Sequence, residues 1–241
     1  MEVVPGIHKI DGTWGGNVYL LVDEEGLALV DAALPFNAGK ILRYIERLGR
    51  APSELRYVVL THAHPDHTGT ISTLLKRVSL SVVVHPEDAR RERDGRTRLF
   101  YHGQLVTLPW NVPFLGKIFA HELVEEGHSL PIMGGLRVLH TPGHTPGSIA
   151  LYLEERGVLF TGDMLISDGK RFTRPIPFPG TDLKLYRHSI ERLAQLQFDV
   201  ACVGHGRPLV GGAVGKVNEM LDNYFWAAPW WKLARKLSPL R

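Results

Sequence analysis

Two periodicities alternate along this chain. Short apolar runs bounded by turn residues occur at 7–10, 18–22 and 27–30, separated by Gly15-Gly16 and by Asp23-Glu24-Glu25-Gly26, and they predict strands joined by tight connections. Residues 36–48 then place Ile41, Leu42, Ile45 and Leu48 at helical spacing, which predicts an amphipathic helix packed on a sheet. The pair repeats. A strand at 56–60 precedes a predicted helix at 68–77 that turns Ile71, Leu74 and Leu75 inward, and a further strand follows at 80–84. After an aperiodic stretch, the pattern predicts strands at 136–140, 148–153 and 157–160, with Glu154-Glu155-Arg156 as the hairpin turn. A loop at 167–180, a helix at 183–196 with Leu185, Ile190, Leu193 and Leu196, a strand at 198–203 and a helix at 214–225 complete the chain. Strands alternating with helices place the chain in the α/β class.

Residues 88–130 break the rhythm. A charged run, 89–96, leads into an apolar stretch interrupted by Pro109, Trp110, Pro113 and Phe114. We expect an irregular helical insertion that covers the site as a lid, with Tyr101, His102, Trp110 and Phe114 as substrate contacts. The tail at 226–241 joins Trp226, Trp230 and Trp231 to Lys232, Arg235, Lys236 and Arg241 with no acid. That composition suits a membrane surface, a second copy of the chain in a homodimer, or a groove of the same domain.

The strand ends carry the chemistry. Thr61-His62-Ala63-His64-Pro65-Asp66-His67 follows the apolar run 57–60 and packs three imidazoles and a carboxylate into six residues. Alternate residues leaving a strand point the same way, so His62 and His64 can aim at one point, while Asp66 and His67 on the following turn serve a second ion beside the first. His144 sits in Thr141-Pro142-Gly143-His144-Thr145-Pro146-Gly147-Ser148, a loop fixed by two prolines and two glycines. Asp163 follows the predicted strand 157–160, and His205 lies between Gly204 and Gly206. Asp31, past the strand 27–30, is expected to orient a ligating histidine. His85, also at a strand end, is read as a non-ligand. Imidazole and carboxylate donors without thiolate suit Zn²⁺, and Fe or Mn fit the same set.

Length and charge narrow the class. The 241 residues, 44% hydrophobic, suffice for one large domain spanning 1–241. A net charge of +3 without a basic stripe does not indicate nucleic-acid binding. One cysteine excludes an intrachain disulfide framework, and Met1 to Gly6 lacks the basic and apolar regions of a signal peptide. The expected compartment is the cytoplasm.

The complete His-x-His-x-Asp-His run at 62–67, with His144, Asp163 and His205 following in order, resembles the metallo-β-lactamase superfamily over about residues 16–207. The resemblance implies a single-domain, four-layer αβ/βα sandwich with two metal ions in a cleft between the sheet edges. It implies one ion on His62, His64 and His144, the other on Asp66, His67 and His205, and Asp163 bridging them. Two ions roughly 3.5–4 Å apart hold a hydroxide at neutral pH, and Asp66 is placed to shuttle its proton. The expected activity is therefore hydrolysis of a small ester, lactone or thioester. Cys202 matches no ligand position of the exported zinc β-lactamases, and Ile166 stands where acyl-homoserine lactonases of the superfamily carry a tyrosine. The short tail departs from the helical region with which glyoxalase II-like thioesterases bind glutathione. Two rivals stay open: a mononuclear iron persulfide dioxygenase using His62, His144 and Asp163, and a non-catalytic metal-stabilised interaction module.

Overall fold

The computed structural model describes residues 1–91, 97–99, 118–178 and 180–223. In chain order its strands are β1 (Glu2–Val4), β2 (Ile7–Lys9), β3 (Tyr19–Val22), β4 (Leu27–Val30), β5 (Leu55–Val59), β6 (Ser81–Val84), β7 (Ala89–Arg91), β8 (Thr97–Leu99) and β9 (Phe119–Ala120). They continue as β10 (Glu122–Leu123), β11 (Ser129–Leu130), β12 (Leu136–His140), β13 (Ile149–Leu153), β14 (Val158–Asp168), β15 (Phe172–Thr173), β16 (Val200–Arg207) and β17 (Leu209–Val210). The helices are α1 (Ala38–Arg47), α2 (Pro65–Thr68), α3 (Ile71–Leu74), α4 (Leu183–Leu193) and α5 (Ala213–Asn223).

Two large sheets face each other. The first runs β1-β2-β3-β4-β5-β6-β10; the second runs β11-β12-β13-β14-β16-β17, with β15 paired to β14. Alternation along each strand divides the apolar side chains between layers. Tyr19, Leu21, Ala28, Val30, Val59 and Val83 meet Val138, Leu151, Phe160 and Cys202 in the central layer. Leu20, Leu29, Val58 and Val82 point outward onto Ile41, Ile45, Ile71 and Leu74. On the far side Ala150, Leu159 and Ala201 lie under Tyr186, Ile190, Val217 and Met220. Burial on both faces explains why these strands read as unbroken apolar runs, and the result is an αβ/βα sandwich.

Several elements differ from the sequence expectation. The predicted helix at 68–77 is two short turns: it starts earlier, with Pro65 as its first residue after His64, and divides between Thr68 and Ile71, where Gly69 leaves no room for a Cβ beside Pro35. The described parts of 88–130 include β7 to β11, three of them forming the small sheet β7-β8-β9; the rest of the expected helical insertion, 92–96 and 100–117, lies outside the described residues. Residues 89–91, two of them arginines, satisfy their backbone by pairing with 97–99, which side-chain periodicity does not reveal. Tyr101, His102, Trp110 and Phe114, and the tail 226–241, lie outside the described residues. β14 extends to Asp168 and β16 to Arg207, so Asp163 and His205 lie within strands. The two pair in parallel with register shifts around Gly162, and such bulges re-aim side chains at a sheet rim. On α4 the buried face is Tyr186, Ser189, Ile190 and Leu193, whereas Leu185 is 40% exposed.

Candidate metal centre

The residues in question lie just beyond the carboxyl ends of the parallel strands β4 and β5 in one sheet, within the bulged parallel pair β14 and β16 of the other, or in the loop after β12. Open α/β sheets place their ligand crevices there. A 2.8 Å hydrogen bond from Ile149 N to Thr61 O ties the two sheets together at this point.

Asp31 organises the first side of the crevice. Its backbone adopts φ 61°, a left-handed conformation that aspartate tolerates better than most residues. The buried carboxylate accepts from Thr61 N at 2.9 Å, Thr61 Oγ1 at 2.8 Å and His67 Nδ1 at 2.8 Å. Since the Thr61 hydroxyl gives its proton to Asp31, its oxygen receives His62 Nδ1–H at 3.1 Å. One carboxylate thereby fixes the tautomer of two histidines and leaves Nε2 of each free to coordinate.

Those ring nitrogens converge. His64 Nδ1 lies 3.0 Å from His62 Nε2 and 3.0 Å from His144 Nε2. Burial drives all three imidazoles toward the neutral form, His64 down to about 3. Three neutral rings facing one another at this spacing present lone pairs to a common centre. Donors held about 2.0–2.1 Å from a tetrahedral zinc would stand about 3.3 Å apart.

A second group adjoins the first. His205 Nε2 is 3.2 Å from Asp66 Oδ2 and 3.3 Å from His67 Nε2. Asp163 reaches both groups, standing 3.5 Å from His144 Nε2, 3.3 Å from His67 Nε2 and 3.4 Å from His205 Nε2. Gly204 makes this approach possible, because a Cβ there would collide with the Asp163 carboxylate. The Tyr186 hydroxyl secures the same stretch of β14 by donating to the carbonyl oxygens of Asp163, at 3.1 Å, and Met164.

The electrostatics favour cations. Burial alone would raise the Asp163 carboxyl, but His205 and His67 hold it well below the usual carboxylate range. Burial likewise opposes ionisation of Asp66, yet His67 and His205 keep its pKa at about 2. Conversely, Asp163 lifts His205 to about 10, and His67 is raised against its burial by Asp31, Asp163 and Asp66. Around His67, therefore, the carboxylates draw in positive charge. Among the described residues, buried His144 Nδ1 and Asp163 Oδ1 have no hydrogen-bond partner. His62, His64 and His144, and separately Asp66, His67 and His205, bring one donor atom each within 4.8 Å of one another. The donor set fits metal ions.

The structure thus gathers all seven side chains singled out in the sequence. His85 stays apart, stacked on His140 with ring centroids 4.0 Å apart, and Cys202 is buried in the central layer. Two neighbours escaped sequence reading. The Phe178 ring lies 6.1 Å from His64 and 6.5 Å from His144, in a proline-rich loop with no period to expose it. Asp88, fully buried, closes the short turn Pro86–Asp88 that follows β6, a position that side-chain pattern does not mark.

The family model described as "Metallo-beta-lactamase superfamily" matches residues 11–205. The chain belongs to that superfamily. A solved superfamily structure, a metallo-beta-lactamase family protein from Thermus thermophilus, is 29% identical and superposes with a TM-score of 0.71 over 91% of this chain and 79% of the other. Hydroxyacylglutathione hydrolase GloC of Haemophilus influenzae is 29% identical over 204 residues, 83% of this chain and 90% of GloC. An N-acyl homoserine lactonase of a Bacillus species is 28% identical over 210 residues, 74% of each chain. Within the superfamily, then, this chain is related to hydrolases of small molecules and carries histidine and aspartate clusters suited to metal ions.

Proposed function

We propose that the protein is a dinuclear-metal-dependent hydrolase of a small ester, lactone or thioester. One observation carries this reading: two adjoining donor groups, His62/His64/His144 and Asp66/His67/His205, share Asp163 between them. His62, His64 and His144 would hold one ion, Asp66, His67 and His205 the other, and Asp163 both, with zinc favoured by the donors. Ions bound there supply Lewis acidity that acidifies water and polarises an acyl carbonyl.

The chain's own groups do the rest. Asp31 keeps His62 and His67 in the coordinating tautomer. Asp66 makes its contacts to His67 and His205 through Oδ2, so Oδ1 takes the proton from the attacking water and passes it to the leaving oxygen or sulfur. Phe178 shields the His64 and His144 side from solvent, where electrostatic stabilisation counts for more. Tyr101, His102, Trp110 and Phe114 are proposed substrate contacts, which alanine variants with raised KM would support. Ester, lactone and thioester bonds are grouped together because the relatives include both a hydroxyacylglutathione hydrolase and a lactonase.

The test combines elemental analysis with a substrate panel of lactones, thioesters, phosphodiesters and persulfides. Two metal ions per chain with lactone, ester or thioester turnover is the expected result. About one iron per chain with consumption of persulfide would replace this reading with a dioxygenase, and turnover confined to phosphodiesters would overturn it.

A further inference from the structure

Asp88 is fully buried and lies between the two loops that carry the three-imidazole group. Its Oδ2 accepts from Ala63 N at 2.7 Å, between His62 and His64. The same oxygen accepts from Thr145 Oγ1 at 2.9 Å, and Oδ1 accepts from Gly147 N at 2.9 Å, both in the loop that carries His144. The two loops are 80 residues apart in sequence for the pair His64 and His144, and a single carboxylate spans them. Thr145 Oγ1 also meets Ser148 Oγ at 2.8 Å, and Ser148 Oγ accepts from Thr145 N at 3.0 Å, so the far loop is braced on itself before it is joined to Asp88. The packing is close: a Cβ on Gly147 would stand 2.5 Å from Asp88 N and 2.6 Å from its Oδ1.

We propose that Asp88 is a positioning residue that sets the spacing of His62, His64 and His144, and so governs metal affinity at that group and not at Asp66, His67 and His205. A carboxylate with three donors directed at it fixes their relative positions, because each N–H or O–H would otherwise be buried without an acceptor. None of these three contacts reaches a residue of the second group. The inference rests on the metal-centre reading above, and it concerns binding rather than turnover.

The test uses the purified full-length chain, stripped of metal and titrated with Zn²⁺ against a chromophoric chelator, then with Co²⁺ followed by visible absorption. In Asp88→Asn, whichever way the amide lies, an N–H₂ faces at least one of the three donors. We expect one metal equivalent to weaken by about 10–100-fold while the other is retained. In a His144→Ala background, Asp88→Asn should add no further loss, since the group it positions is already broken. If Asp88→Asn does not fold, Thr145→Val decides: it should weaken the same equivalent by a smaller factor, and Thr145→Ser, which keeps the hydroxyl, should restore it. Unchanged affinity for both equivalents in the folded Asp88→Asn protein overturns the proposal. So does an additive loss in the His144→Ala background, or Thr145→Val binding like the parent. A parent chain that binds two equivalents yet hydrolyses nothing on the panel overturns the hydrolase reading alone, and one that binds no metal removes both.

Discussion

His67 Nδ1 and Asp31 Oδ2 stand 2.8 Å apart with the histidine fully buried, and the same carboxylate reaches His62 through the hydroxyl of Thr61. Two imidazoles from opposite ends of the His-x-His-x-Asp-His run are therefore oriented by one side chain from another strand. Asp31→Asn keeps the shape and loses the charge. It should reduce metal affinity by about 10–100-fold, measured by chelator competition.

His64 supplies the nitrogen that faces both His62 and His144. His64→Ala should abolish turnover of esters, lactones and thioesters while leaving the circular dichroism spectrum that of the parent, because the core layers do not depend on this ring. Undiminished turnover would remove the metal mechanism.

Clustered buried donors should make stability depend on metal. An ion that binds the native state alone, at 100 times its dissociation constant, adds about 2.7 kcal/mol. Chelation followed by thermal unfolding should lower Tm, and restoring Zn²⁺ should recover it.

Tyr186 joins α4 to the bulged part of β14 through the Asp163 and Met164 carbonyls. Tyr186→Phe leaves buried acceptors short of a donor and should cost about 1–3 kcal/mol. Denaturant unfolding measures that loss, and kcat should fall with it as Asp163 loosens.

His85 gives a pH dependence separate from the metal centre. Burial, with His140 alongside, lowers His85 to about 4 from its ordinary 6.5. The unfolded chain therefore takes up the proton first as pH falls, so stability is constant above about 6.5 and declines through the window down to about 4. The loss attributable to this ring should be on the order of 1 kcal/mol by about pH 5. His85→Gln should flatten the curve in that window, as read from urea midpoints.

The sequence by itself determined the α/β class, most of the strands and the seven side chains that meet at the crevice. Apolar runs such as 18–22 and 57–60 mark strands buried on both faces, and His62, His64, Asp66 and His67 fall close enough together to be recognised locally. Tertiary structure decided the rest. That Tyr186 and not Leu185 faces inward depends on the carbonyls of Asp163 and Met164, which are backbone groups and leave no trace in side-chain pattern. That position 69, between α2 and α3, admits only glycine is set by Pro35 lying against it, a contact between separate parts of the chain. Asp88 was invisible for the same reason: two of its donors are the N–H groups of Ala63 and Gly147, which any sequence supplies and only the folded chain brings to one carboxylate.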